Sequence, residues 1–242
     1  MTRRELLRAG GTAGALLLCR PNALASAFQA AEVRTAEDVD HIMWGARNLD
    51  EAVAFIEAKT GVKAIVGGVH PNRGTRNALV SLGARHYLEI ISLDPAQKGV
   101  QDPFVTQLEQ LTSPRILTWA ARTRDIEALD RKLRASGFTT SGVTPGSRAK
   151  PDGTQLKWRT LSLAGFDDGV VPFAIEWDPA STHPSADSPA GCVIRELRLE
   201  HPDPAKINGV LEAMGLRARA SRGARGRISA LLSTPKGDFE LT

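Results

Sequence analysis

Cysteine is almost missing from this chain: there are two in 242 residues, Cys19 and Cys192. Neither a disulfide framework nor a Cys-rich zinc site can be built from that supply. Cys19 falls in the N-terminal leader described below, so the mature chain would hold Cys192 alone, as a small, partly buried side chain. Excess charge is also lacking. Of the formal net charge of +4, Arg3, Arg4, Arg8 and Arg20 against Glu5 account for +3 within the first 27 residues, leaving +1 once that segment is removed. That is no electrostatic footprint for DNA or RNA. The one basic run, Arg217, Arg219, Arg222, Arg225 and Arg227, is broken by Gly and Ser and has no aromatic residue interleaved. It reads as a solvated loop with its flanking strand. No Gly-rich phosphate loop opens a helix, and there is no nucleophile elbow and no Cys–His pair.

What remains is an ordinary globular composition, 42% hydrophobic and 24% charged, which excludes wholesale disorder. The length suits one large domain or two small ones. The start, TRRELLRAGGTAGALLLCRPNALASA, has the three-part layout of an export signal: basic residues, a short apolar run, then small residues. The apolar run is too short to span a membrane. Arg3-Arg4 followed by Leu6-Leu7-Arg8 resembles a twin-arginine motif, and Ala23–Ala25 and Ala25–Ala27 are cleavage triplets. Residues 1–27 are therefore expected to be a twin-arginine-type signal peptide that sends the protein to the periplasm.

Beyond the leader, one order of elements recurs. VDHIMWGAR (39–47) reads as a strand, and Asn48 or Asp50 then opens a helix that ends at Gly61. A Gly-rich link leads to two strands, 78–82 and 87–93. The order restarts with RILTWAART (115–123), a helix over 124–137, and strands over 153–165 and 169–179. Trp44-Gly45-Ala46-Arg47 matches Trp119-Ala120-Ala121-Arg122 at an offset of 75 residues. After a linker at 182–191, the order begins a third time with CVIRELRLEHP and a helix ending at Gly215. Such a unit has a sheet face it cannot cover alone, so pairing is expected. The fold class is α+β. Tandem units at 38–181 form a curved mixed sheet around a cavity with helices outside, and a third unit at 190–242 packs onto the pair.

Two carboxylates stand out within apolar strands. In HYLEIISLDP, Tyr87, Glu89 and Ile91 share one face while Leu88 and Ile90 share the other. In PFAIEWDP, Ala174, Glu176 and Asp178 share a face opposite Phe173, Ile175 and Trp177. A carboxylate is costly to bury without a partner. Glu89 and Glu176 are therefore read as facing the cavity together with His41, where they would be the catalytic groups. The alternative is that each pairs with an arginine, Arg47, Arg122 or Arg159 being available. His70 and Asn77, beside the cavity in a loop and strand start, are candidate substrate contacts. Of the alternating pair Trp158 and Arg159, Arg159 is taken as the cavity residue, facing an anionic substrate or Glu176.

The stretches DHIMWGARNLDEA (40–52), GGVHPNRGTRNALVSLG (67–83), YLEII (87–91), GTQLKWR (153–159), PFAIEW (172–177) and LRLEHPDP (197–204) carry a resemblance. In this tandem arrangement they resemble the vicinal-oxygen-chelate superfamily, which includes glyoxalase I and extradiol dioxygenases, and most closely its bacterial glyoxalase-like domain proteins. The resemblance implies metal ligands on the first and last strand of each paired unit: His41, Glu89 and Glu176. The fourth position falls on Ile116, or on Thr118 two residues along, neither of which is a good ligand. Such a set implies Zn²⁺, Mn²⁺, Fe²⁺ or Ni²⁺ acting as a Lewis acid, or no cofactor at all. The resemblance also implies a small-molecule partner, allows a homodimer, and gives no reason to expect nucleic acid or a stable membrane anchor after cleavage. Two functions follow from it. One is an exported enzyme performing isomerase, lyase or ring-opening chemistry on an oxygen-rich substrate. The other is a sequestering protein like the bleomycin-resistance proteins.

Overall fold

The computed structural model describes residues 36–242, so the leader expected at 1–27 lies outside the described residues. The first unit is β1 (Val39–Gly45), α1 (Leu49–Thr60), β2 (Ile65–His70), β3 (Thr75–Ser81) and β4 (Tyr87–Leu93). A connecting helix α2 (Pro103–Glu109) leads to the second unit: β5 (Arg115–Arg122), α3 (Ile126–Ala135), β6 (Thr144–Ala149), β7 (Gln155–Leu161) and β8 (Phe173–Trp177). Local chemistry places the helices. Asn48 caps α1 by accepting from the Asp50 and Glu51 amides, and Gly61 ends it at φ 79°. Asp125 caps α3 through the Ala128 amide.

The eight strands form one sheet in the order β2-β3-β4-β1-β5-β8-β7-β6. β1 and β5 run antiparallel at its centre, and each pairs in parallel with the last strand of its own unit. The sheet curls until β2 and β6 approach, and there Arg148 on β6 donates to the Gly67 carbonyl on β2. This is the curved sheet expected from the repeat. The convex face packs Ile42, Trp44, Leu88, Ile90 and Trp119 beneath the helices and the third unit in one continuous core. The concave face encloses a cavity.

The two units correspond at a spacing other than the one the letters suggest. The helix caps Asn48 and Asp125 stand 77 residues apart. The same interval relates the Ala46 amide, bonded to Ile91, to the Thr123 amide, bonded to Ile175. At this interval the counterpart of His41 is Thr118, and Ile116 is a core residue opposite Trp44. The match of Trp44 with Trp119 is therefore two residues out of spatial register. The β1–β5 ladder also shifts register between Met43 and Trp44 and between Val39 and His41. Bulges of this kind cannot be read from alternation.

The third unit begins after a short helix α4 (Pro184–Asp187) and comprises β9 (Val193–His201), α5 (Pro204–Ala213), β10 (Ala220–Arg222), β11 (Arg227–Thr234) and β12 (Gly237–Leu241). Its sheet order is β10-β9-β11-β12. The expected βαββ pattern gains the three-residue strand β10, which lies within the basic run and pairs in parallel with β9. The unit docks on the convex side: Trp44 Nε1 donates to the Thr242 carbonyl and Lys236 Nζ to that of Ala58. None of residues 178–242 lines the cavity. Among the described residues, no helix is long and apolar enough to cross a membrane.

One glycine is indispensable to the cavity wall. Gly169 has φ 80°, and a Cβ there would lie 1.9 Å from the Leu117 carbonyl oxygen. Gly169→Ala is expected to cost more than about 2 kcal/mol from the left-handed backbone and the clash together. Urea unfolding of the variant against the parent measures it.

Candidate functional site

The cavity holds about 700 Å³, enough for a small organic molecule. Its reactive groups come mainly from the first unit. Glu89, 6% exposed, projects from β4 on the same face as Tyr87 and Ile91. Asn77 Nδ2 donates to its Oε1 at 2.6 Å. His70 Nε2 lies 3.6 Å from Oε1, and His41 Nε2 lies 3.5 Å from Oε2. Burial works to raise the Glu89 pKa, but the charges of His41 and His70 and the Asn77 hydrogen bond outweigh it and hold the carboxyl below its usual range. The cavity thus contains a buried, ionised carboxylate flanked by two imidazoles.

Each imidazole is fixed from behind. His70 Nδ1 and Thr75 Oγ1 share a hydrogen bond at 2.9 Å, which turns Nε2 toward Asn77 and Glu89. Burial lowers the His70 pKa, and the Glu89 charge works against that shift. His41 Nδ1 donates to Asp40 Oδ1 at 3.0 Å, and its ring stacks on Tyr87 with centroids 4.5 Å apart. The register shift beside Asp40 brings two successive side chains into one network, against simple strand alternation.

Asp40 is the hub that the sequence did not reveal. It is fully buried and accepts from His41, from His183 Nε2 at 3.1 Å, from Trp177 Nε1 at 3.2 Å and from Arg122 Nε at 3.4 Å. Burial raises its pKa, and the hydrogen bonds from His183 and His41 overcome that and hold it far below the usual carboxylate range. His183 comes from the stretch that composition marks as a linker; its Nδ1 accepts from Ser185, which leaves Nε2–H for Asp40. The one sequence signal for this hub is the adjacency Asp40-His41 on a strand.

The expectation that Glu176 joins His41 and Glu89 is corrected by β8. Phe173, Ile175 and Trp177 line the cavity, and Glu176 projects from the opposite face. There its Oε2 accepts from the Ile126 amide at the start of α3 at 3.1 Å and from Arg159 Nη2 at 2.7 Å. A carboxylate at a helix N-terminus paired with a guanidinium is satisfied without entering the cavity. Arg159 is likewise outside: it bridges Glu176 and Glu127, and Trp158 takes the cavity position. Of the candidates, the structure brings His41, His70, Asn77 and Glu89 together and leaves Glu176 and Arg159 on the outer face. Glu176→Gln is accordingly expected to leave the cavity chemistry unchanged. It should cost about 0.5–2 kcal/mol of stability through the α3 terminus, measured by thermal melting alongside activity.

The donors themselves decide whether a metal fits. The 77-residue interval makes Thr118 the counterpart of His41, and across the last strands the longer offset from Ile91 to Ile175 makes Phe173 the counterpart of Glu89. Phe173 packs edge-on against His41 at 5.6 Å. The second unit therefore supplies a hydroxyl and a phenyl ring where ligands were sought. Glu89 Oε1 is already engaged by Asn77, and each imidazole meets a different carboxylate oxygen. Among the described residues, no three His, Cys, Asp or Glu side chains stand as a metal-holding group. The residues present do not fit the metal implied by the resemblance.

A curved sheet of paired βαβββ units around such a cavity defines a protein of the vicinal-oxygen-chelate fold. Residues 39–215 match the family model described as a glyoxalase-like domain, and the chain belongs to that family. Among solved structures it is similar to a hypothetical protein from Staphylococcus aureus, with TM-score 0.64 and 15% identity over 84% of this chain and 98% of that one. It is also similar to methylmalonyl-CoA epimerase from Mycobacterium tuberculosis, with TM-score 0.43 and 19% identity over 59% of this chain and 88% of that one. Among curated proteins, none matches the chain.

Proposed function

We propose that this glyoxalase-like protein is an exported enzyme that moves a proton on a small oxygen-rich substrate, in isomerase or lyase chemistry, with its own side chains as acid and base. The observation that carries this reading is the buried ionised Glu89 set against His41, which is itself backed by Asp40. With a proton on each ring nitrogen, His41 donates through Nδ1 to Asp40 and presents Nε2–H to the cavity. A substrate carbonyl lying in the cavity against both groups would lose the proton on its neighbouring carbon to Glu89. The C–H electron pair becomes the carbon–carbon double bond of the enol, and the carbonyl oxygen takes the proton from His41 Nε2. Where the deprotonated carbon carries a hydroxyl the enol is an enediol, and return of the proton to the former carbonyl carbon, with loss of that hydroxyl's proton as the new carbonyl forms, completes an isomerisation; departure of a β-substituent completes an elimination. Tyr87 offers a further neutral donor, because burial and the nearby Glu89 charge keep its hydroxyl pKa well above the usual range. Burial strengthens each of these interactions by excluding water.

No step here passes through a metal. The reading is tested by incubating the protein, stripped with chelator, in D₂O with a panel of 2-oxo and 2-hydroxy acids, aldehydes and ketones. Deuterium incorporation next to the carbonyl, followed by proton NMR and lost in Glu89→Gln, is the expected result. Saturable binding of a panel member with no exchange would instead mark a sequestering protein.

A further inference from the structure

One charged group in the cavity wall has no part in the proton transfer. Arg148, on β6, is 4% exposed and lines the cavity. Its guanidinium has one hydrogen-bonded partner, the Gly67 carbonyl across the seam. Among the described residues, no carboxylate lies within salt-bridge distance of it, whereas the other arginine of the lining, Arg73, is paired with Asp102. A buried guanidinium carries five donors in a planar fork, and one carbonyl satisfies only part of it. An uncompensated buried cation is costly unless something brings the missing charge. Its field also reaches the reactive groups, contributing to the lowered pKa of both Glu89 and His70.

We infer that Arg148 is the anion-binding group of the cavity, and that the substrate carries a terminal oxyanion, a carboxylate or phosphate, which the Arg148 fork grips while Glu89 faces the carbon to be deprotonated. This rests on the reading of the cavity as the acid–base site and adds the substrate class. Small oxo or hydroxy acids and phosphorylated hydroxy ketones carry both required features, a carbonyl or carbinol carbon and an anionic end. Neutral aldehydes and ketones lack the second.

The probes are malonate, inorganic phosphate and, as a neutral counterpart of malonate, malonamide. Trp158 and Trp177 line the cavity and report occupancy by fluorescence. Saturable binding of malonate or phosphate, with no binding of malonamide, is expected. Malonate alone points to an organic acid; phosphate alone points to a phosphate ester. Arg148→Met should weaken anion binding by about 10–100-fold, and Arg148→Lys less, because a point charge keeps attraction and loses the fork. Failure of the wild type to bind either anion, or Arg148→Met binding within about twofold of it, overturns the inference. Because Arg148 also ties the seam, a second probe leaves the chain unaltered: in the wild-type protein malonate or phosphate should slow phenylglyoxal modification of Arg148, followed by mass spectrometry, and absence of protection counts against the site. Glu89→Gln separates the two proposals. It should retain or tighten anion binding while losing deuterium exchange. Arg148-dependent binding without exchange in the wild type would overturn the acid–base reading alone, and exchange indifferent to Arg148 would overturn the anion site alone.

Discussion

Glu89→Gln is expected to lower turnover by about 10²–10⁴-fold, the range for loss of a positioned general base, and to leave the fold intact. The amide keeps the shape and the contact with Asn77, so the cavity is not emptied. What it loses is the ability to accept a proton from carbon. A pH effect accompanies the substitution. The Glu89 pKa is lowered in the folded protein, so its contribution to stability is fully present above its unfolded value and is lost as pH falls through the lower folded value. The parent should therefore lose stability on acidification more steeply than Glu89→Gln. Urea midpoints at several acidic pH values compare the two slopes, and equal slopes would show that the folded protein does not favour the ionised carboxyl.

Asp40→Asn is expected to be the most destabilising polar substitution among the described residues, at about 3–5 kcal/mol. Asp40 is a single buried carboxylate with four donor residues around it, and Arg122 lies among them. The amide offers one acceptor in place of two charged ones and points its own donors at groups that only donate. His183 Nε2 and Arg122 Nε then lose their carboxylate acceptor. Activity should fall as well, because His41 loses the group that fixes its ring and tautomer. Chemical denaturation gives the first effect. The second is isolated by the deuterium-exchange rate at a temperature where the variant remains folded. A variant with parental stability would show that the Asp40 network contributes nothing net.

Much of the fold was legible because the information is local. The caps at Asn48 and Asp125, the terminal Gly61, and the alternation of Tyr87, Glu89 and Ile91 against Leu88 and Ile90 are short-range signals. The threefold order of elements could be read for the same reason. Strands whose pattern is weak were harder. β2 contains Gly67-Gly68 and reads as a link, and β6 runs through Thr144-Pro145-Gly146-Ser147, which has turn composition. The first unit's side of the cavity was readable, with His41, His70, Asn77 and Glu89 all lining it. The second half was not, for two physical reasons. A strand's alternation tells which residues share a face but not which face is inward, and β8 has bulky apolar side chains on its cavity side. The bulges in β1 and β5 then move the spatial repeat from 75 residues to 77, so letters that match do not superpose. Asp40 escaped because its role depends on one of those irregularities and on His183, 143 residues away.

The unequal halves have a consequence for how such a protein can change. One copy of the repeated unit places His41, His70 and Glu89 in the cavity, and the other lines its centre with Thr118, Phe173, Ile175 and Trp177, which set shape. Protonation and fit are thereby written on different strands. A lineage could resculpt the β8 wall to admit a new substrate without disturbing Glu89 or the imidazoles beside it. A cavity with reactive groups on both sides would lack that freedom, because every change of shape would also be a change of chemistry.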